Sequence, residues 1–385
     1  MKQMATTMFL SSPIFDGNTA VLEPVEEALQ TQGRLRDKFG RAITDLRVSV
    51  TDRCNYKCVY CRTGNEGAQY TELPIADYLR MVRLFVSLGV EKIRLTGGEP
   101  LLRSGLVEMV RELATMRTAY LPDGTFVGGT FAGETFAGET GQKGLPLDIA
   151  LTTNGHLLEG LAQPLKDAGL NRVTVSMDAV DAETFAAITR VPRSFDKVMA
   201  GIRKAQAVGL GPVKVNCVLL RGFNDGQIEQ FAEFSRREGV IVRFIEWMPL
   251  EEDRTWKRET VISMEEIVER LNGYRPLVEL APHAASETAK RFTFDDGVGE
   301  IGIIAPVSRP FCGHCSRVRL TSDGKIRTCL FSQSDHDLYG QMARGGTDAE
   351  LAAYIRKIVM RKEARHHIGE PGFEKPSRNM VHIGG

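Results

Sequence analysis

Between residues about 40 and 250 the chain alternates short apolar runs with longer segments of helical periodicity. Strands are predicted at 46–50, 92–96, 148–152, 172–177, 213–220 and 241–247, and helices near 75–88, 103–116, 157–168, 181–188, 194–208 and 226–238. Strand–helix repeats of this kind predict parallel strands joined by helical crossovers, an α/β architecture that closes into a barrel, a partial barrel or a doubly wound sheet. Alternate strand residues face opposite sides, and one face is repeatedly polar. It carries Arg47 and Ser49; Lys92, Arg94 and Thr96; Thr174, Ser176 and Asp178; Lys214 and Asn216; and Arg243. A small closed barrel normally fills its interior with Val, Ile and Leu. Basic side chains on neighbouring strands could instead converge on a triphosphate, where arginine forks and lysine charges both serve. The plain alternative is that they face solvent or pair with acids.

Two stretches break the rhythm. Residues 125–140 read TFVGG-TFAGE-TFAGE-T, a near-repeat with too few aliphatics to bury much surface, so a flexible insertion is expected at about 120–145. Residues 1–40 have weak periodicity and are expected to form a mobile extension. After residue 260 the pattern becomes α+β. Ser263 and Glu266 make a helix start, strands fall at 290–294 and 300–305, and Ser322-Asp323-Gly324 joins a hairpin. A last helix is expected over 348–363. The expected units are therefore 1–40, a barrel over 41–250, and a smaller α+β domain over 251–385.

Composition narrows the class. Hydrophobic residues are 42% and charged residues 25% of the 385, the make-up of a soluble globular protein. Lys+Arg and Asp+Glu both number 49, so global charge draws the chain neither to nucleic acid nor to membrane. No apolar run approaches the ~18 residues of a membrane span, and the first 15 residues lack the apolar core of a secretory signal. A cytoplasmic location is expected.

Of seven cysteines, six form two triplets: Cys54, Cys58 and Cys61, and Cys312, Cys315 and Cys329. Disulfides would leave an odd thiol in each, so two three-thiolate metal sites fit better. Cys217, in an apolar run, reads as a core residue. Three thiolates can hold three irons of a cubane cluster and leave the fourth open to bind S-adenosylmethionine (SAM) or a substrate. Structural zinc normally takes four ligands. The first triplet has no nearby fourth Cys or His, whereas His314 keeps zinc open as an alternative at the second.

With Tyr60 between the last two cysteines of the first triplet and Gly97-Gly98-Glu99-Pro100 after the second strand, the sequence resembles the radical SAM superfamily. That resemblance implies a partial (βα)6 barrel, a SAM-binding [4Fe-4S] cluster on Cys54, Cys58 and Cys61, and SAM contacts from Tyr60, Gly98, Ser176 and Met248. The run FCGHCSRVRLTSDGKIRTCLF and the terminal HIGG resemble the GTP 3′,8-cyclase family of molybdenum cofactor biosynthesis over 40–117, 146–340 and the extreme C-terminus. The family likeness implies a second, substrate-binding [4Fe-4S] cluster on Cys312, Cys315 and Cys329. It implies GTP contacts from Arg47, Arg94, Thr152, Lys214, Arg317 and Arg319, with Lys92 beside them. It also gives Arg47 a catalytic part in reducing a later aminopropyl radical, and brings Gly384 and Gly385 to the site, although a Gly-Gly terminus alone reads as frayed chain.

As partners it implies GTP, a flavodoxin- or ferredoxin-like electron donor and a downstream cyclic pyranopterin monophosphate synthase, and it allows a homodimer. Two other readings share parts of the pattern. A peptide-modifying radical SAM enzyme with an auxiliary cluster would leave the strand cations without a purpose. A non-enzymatic metal-held sensor or module would leave the Gly97–Pro100 motif and six-strand scaffold unused.

Overall fold

The computed structural model describes residues 33–61, 68–131, 134–137, 143–251 and 256–384. In chain order the strands are β1 (Asp45–Ser49), β2 (Lys92–Thr96), β3 (Gly128–Phe131), β4 (Glu134–Ala137), β5 (Asp148–Thr153), β6 (Arg172–Ser176), β7 (Lys214–Leu219), β8 (Ile241–Glu246), β9 (Leu277–Leu280), β10 (Lys290–Phe294), β11 (Glu300–Ile304), β12 (Arg317–Leu320), β13 (Lys325–Arg327) and β14 (His336–Asp337). The principal helices are α1 (Ile75–Ser87), α2 (Leu106–Thr115), α3 (Leu158–Asp167), α4 (Ala182–Thr189), α5 (Phe195–Ala207), α6 (Ile228–Glu238), α7 (Met264–Tyr274), α8 (Leu338–Ala343), α9 (Asp348–Val359) and α10 (Met380–Ile383).

Strands β1, β2, β5, β6, β7 and β8 lie side by side and parallel, each joined to the next by one or two helices. This is the six-repeat α/β scaffold expected of a partial barrel. Its helix-facing side is predominantly apolar: Leu46, Val48, Ile93, Leu95, Ile149, Leu151, Val173, Val175, Val215, Val242 and Phe244 are all buried. Those positions bury the inner stripes of the helices, such as Met81, Val82 and Phe85 of α1. The opposite side of the strands is left free to build a site.

The C-terminal part does not stand beside this sheet; it extends it at both ends. β12 pairs parallel with β1, followed by β13 and β14, while β11 pairs parallel with β8, followed by β10 and β9. The result is one sheet of twelve strands. Parallel pairing hides both edges of the six-strand core, which would otherwise present unpaired backbone groups.

Three local expectations change. Residues 33–40 are packed rather than mobile: Leu35 is fully buried, and its N–H donates to the Leu88 carbonyl at 2.8 Å. Residues 1–32 lie outside the described residues. In the repeat insertion, expected to be flexible, β3 and β4 pair antiparallel as a two-stranded ribbon; residues 132–133 and 138–142 lie outside the described residues. The last predicted helix stops at Val359 rather than 363, opened by a reciprocal cap between Thr347 and Glu350. Among the described residues no helix is long and apolar enough to cross a membrane.

Candidate active site

The polar strand faces line one cavity of about 670 Å³, within the range of about 300–1,000 Å³ common for small-molecule sites. All six triplet cysteines line it, together with Arg47, Tyr60, Lys92, Arg94, Gly98, Thr152, Ser176, Lys214, Met248, Arg317 and Arg319. Gly384 lies against the same strands. Every site residue expected from sequence is thus brought to one place, except Gly385, which is outside the described residues. Cys217 is buried in the core, away from both triplets. His314 is exposed and does not line the cavity.

The first triplet follows β1. Its loop is pinned by backbone bonds from Lys57 and Val59 to the carbonyls of Thr189 and Ile188, at 3.1 and 3.0 Å. The Tyr60 hydroxyl donates to Asp178 at 2.7 Å, and the other Asp178 oxygen accepts the Val218 N–H at 2.8 Å. Burial raises Asp178 to about 6 and pushes the Cys58 thiol well up, helped by the Asp178 charge.

Gly97-Gly98-Glu99 holds this loop from the side. The Gly98 and Glu99 N–H groups donate to the carbonyls of Thr51 and Arg53, at 2.8 and 2.7 Å. A side chain on Gly98 would place its Cβ only 2.4 Å from the Arg53 carbonyl oxygen. The glycine is required because two backbones touch, and that contact also leaves the strand end open to the cavity. Glu99 is fully buried and raised to about 7 by burial, while accepting from Leu101 N–H, Thr153 hydroxyl and Asn154 N–H.

Register explains the cation set. Arg319, Arg47 and Arg94 are directly opposite one another across β12, β1 and β2, and the same row reaches Ala150 and Arg172. A second row holds Thr152, Thr174 and Lys214, and Asn216 lies opposite Arg243. Like charges placed directly opposite weaken a sheet, and the acids Asp45, Asp148 and Glu287, which also line the cavity, offset part of that cost. Burial and the neighbouring Arg94 and Arg317 lower Arg47 to about 9. Burial with Arg243 lowers Arg94 to about 10 and Lys214 to about 8. Arg94 donates to the hydroxyls of Thr152 and Thr174, at 3.2 and 3.3 Å.

Arg243 is held by Asn216 at 2.9 Å and itself lowered to about 10, chiefly by burial. It lines the cavity as a full member of the set. It was legible only as one more polar position on the last strand.

The second triplet sits in a more positive setting. Arg317 donates to Cys315 Sγ at 3.4 Å and stacks on Phe311. Lys362, 3% exposed, donates to the carbonyls of Arg317 and Thr328. Burial raises Cys315, yet Arg317 and Lys362 overcome it and bring the thiol down to about 7. Lys362 and His366, both lining the cavity, follow α9 and carry no sequence signal of a site.

The chain's end is docked rather than frayed, at least through Gly384. Arg319 donates to the Gly384 carbonyl, and Gly384 packs against Thr96 and Ser49. Arg378 holds the incoming tail with two 2.8 Å bonds to Asp323.

Residues 48–235 match the model of the radical SAM superfamily, and residues 240–368 match that of Molybdenum Cofactor Synthesis C. A crystal structure of Streptococcus suis SuiB bound to S-adenosylmethionine shares the fold, with TM-score 0.55, 12% identity, and coverage of 88% of this chain and 78% of that one. The six-repeat sheet, the cysteine triplet after β1 and these matches define a radical SAM protein.

More specific likeness comes from curated relatives. The GTP 3′,8-cyclase of Acidothermus cellulolyticus is 41% identical over 86% of this chain and 87% of its own length. That of Streptomyces coelicolor is 38% identical over 91% and 96%, and that of Moorella thermoacetica 38% over 91% and 100%. The chain belongs to the GTP 3′,8-cyclase family.

Proposed function

We propose that the chain uses SAM to cyclise GTP to (8S)-3′,8-cyclo-7,8-dihydroguanosine 5′-triphosphate, the first step of molybdenum cofactor biosynthesis. The observation that carries this reading is one cavity lined by two three-cysteine sets with a buried cation array on the strands between them, in which Arg47, Arg94, Lys214, Arg243, Arg317 and Arg319 outnumber the lining acids Asp45, Asp148 and Glu287. The donor sets fit iron–sulfur clusters. Each triplet offers three thiols to the cavity, and His314, the histidine between two cysteines of the second, is exposed and outside it. Cys54, Cys58 and Cys61 would hold the SAM-binding cluster, and Cys312, Cys315 and Cys329 the substrate-binding one. When bound, the first cluster with SAM supplies a 5′-deoxyadenosyl radical able to take hydrogen from the ribose 3′ carbon, after which that carbon joins guanine C8.

The protein's own residues do the rest. Tyr60, fixed by Asp178, Gly98 at its open strand end, Ser176 and Met248 would hold SAM. Arg47, Arg94, Thr152, Lys214, Arg243, Arg317 and Arg319 would hold the nucleotide, with Lys92 beside them. The buried guanidinium groups act where water is scarce, so each charge-assisted contact is stronger than at the surface. Fixing both ends of the nucleotide confines ribose and base to a reactive geometry. Arg47, opposite Arg94 and Arg319 in register, would also assist reduction of the later radical. In this reading residues 41–250 carry the SAM chemistry and 251–385 the substrate-binding cluster. A low-potential donor protein and a cyclic pyranopterin monophosphate synthase act before and after it.

Anaerobically reconstituted, reduced protein given SAM and GTP deuterated at the ribose 3′ position should yield the cyclised nucleotide and 5′-deoxyadenosine carrying deuterium. Deuterium-free 5′-deoxyadenosine with intact GTP defeats the proposal.

A further inference from the structure

We propose that the outer side of the first cysteine loop is the docking surface for an acidic one-electron donor protein of the flavodoxin or ferredoxin class, an inference that rests on the radical SAM reading above. The inner side of that loop is committed, since Cys54, Cys58, Tyr60 and Cys61 all line the cavity. The outer side is different. Lys57, next to Cys58, is exposed, and the loop is tied there to the α4–α5 connection through the carbonyls of Ile188 and Thr189. Residues 189–197, which span that connection and the first turn of α5, carry Arg190, Arg193 and Lys197, all exposed, and a single acid, Asp196.

Two backbone observations mark the segment. Arg190 and Arg193 both adopt left-handed conformations, with φ of 57° and 56°, and they are the only non-glycine residues to do so among those described. Helices commonly end on glycine in this conformation, and α6 ends that way on Gly239, φ 63°. Where α4 ends, the chain keeps an arginine despite the steric cost to a residue with a Cβ. Such strain concentrates at functional segments.

Three of these cations are also available. Among the described residues Arg190, Arg193 and Lys197 form no ion pair with a carboxylate. On the second triplet's outer surface Arg309 pairs with Glu265 and Arg365 with Glu370. Lys197 lies 3.2 Å from His156 Nε2, and His156 Nδ1 lies 3.1 Å from the Tyr56 hydroxyl, whose residue sits inside the cysteine loop. Leu157, 36% exposed, and the exposed Pro192 give the patch apolar area among its cations. A mixed apolar and basic surface steers an acidic partner and fixes its register. Docked there, the donor is oxidised by one electron, and that electron enters at the first triplet across a single loop, without crossing the substrate cavity.

The test uses full-length protein, a recombinant flavodoxin reduced to its hydroquinone, and dithionite as a small-molecule reductant. Asparagine tolerates left-handed φ, so Arg190→Asn with Arg193→Asn preserves the backbone. Flavodoxin affinity for the protein without clusters, measured by titration at low salt, should fall about tenfold in the double variant. Wild-type affinity should fall as salt is raised. Flavodoxin-driven 5′-deoxyadenosine formation should fall alongside it, while the dithionite-driven rate stays within about twofold. Lys57→Gln should act in the same direction, and Arg237→Gln, on α6, should change neither. Unchanged flavodoxin affinity in the double and Lys57 variants overturns the proposal, as does an equal loss with both reductants in folded protein. Failure of wild-type protein to cyclise GTP with dithionite defeats the function above instead, and the flavodoxin titration still decides the docking surface.

Discussion

The two cysteine loops offer the same ligand set in opposite electrostatic settings. Around the first, burial and then the carboxylate of Asp178 push the Cys58 thiol up. Around the second, burial still raises Cys312 and Cys329, while Arg317 and Lys362 overcome it at Cys315 and draw that thiol down to about 7. A cluster held among cations accepts negative charge more readily than one held near a carboxylate. The difference would suit the division of labour proposed above, in which a cluster on the first triplet gives up an electron to SAM and one on the second grips an electron-rich base.

Exchanging single cysteines breaks this comparison most severely. Ala at Cys54, Cys58 or Cys61 should abolish SAM cleavage. Ala at Cys312, Cys315 or Cys329 should abolish GTP cyclisation while sparing 5′-deoxyadenosine formation to a larger extent. Equal loss of SAM cleavage in both sets, in folded protein, would remove the division of labour. Next in size is Gly98→Ala. A Cβ 2.4 Å from the Arg53 carbonyl forces the second strand's end away from the first loop, so SAM binding measured by titration should weaken sharply while the second loop's iron content is retained.

Lys214 sharpens the comparison from the substrate side. Losing its charge-assisted contact should weaken GTP binding by about 1.5–3 kcal/mol. Because the free amine is held near about 8 and a bound triphosphate would raise it, binding takes up a proton above that pH. Wild-type affinity should therefore decline as pH rises past 8, and Lys214→Ala should flatten that limb, as titration calorimetry in buffers of different ionisation heat would show.

The smallest expected effect is electrostatic alone. Lys362→Met should move the Cys315 thiol upward and slow its alkylation at pH 7 by about fivefold in protein without clusters, since a thiol reacts as thiolate. The alkylation rate at Cys58 should not change. A parallel change at both loops would show that Lys362 acts through global loosening.

Much of the fold was legible because it is encoded locally. Period-two and period-3.6 patterns placed all six core strands and their helices within a few residues, since each apolar stripe must be buried by its own neighbours. The cysteine triplets were legible as candidates for the same reason: the first lies within one loop, and the second spans a single hairpin. The Ser263 and Glu266 pair announced the start of α7, and the Ser263 side chain does accept the Glu266 N–H at 3.3 Å.

What depended on long-range contact was not legible. The parallel pairing of β12 with β1 and β11 with β8 joins residues far apart in sequence, and nothing in Arg317–Leu320 or Glu300–Ile304 says which edge each will meet. Lys362 reads as an ordinary charged residue at a helix end, and becomes a buried ligand-loop clamp only because α9 aims it at Arg317 and Thr328. The terminal Gly384 reads as loose chain, and is fixed by Arg319, itself indistinguishable in sequence from an outward-facing arginine. Sequence alone therefore determined the two cysteine triplets as candidates and which residues could form the sheet. Register and strand order decided that the two cysteine sets share one cavity and that the arginines oppose one another there, because those juxtapositions arise only when distant backbones pair.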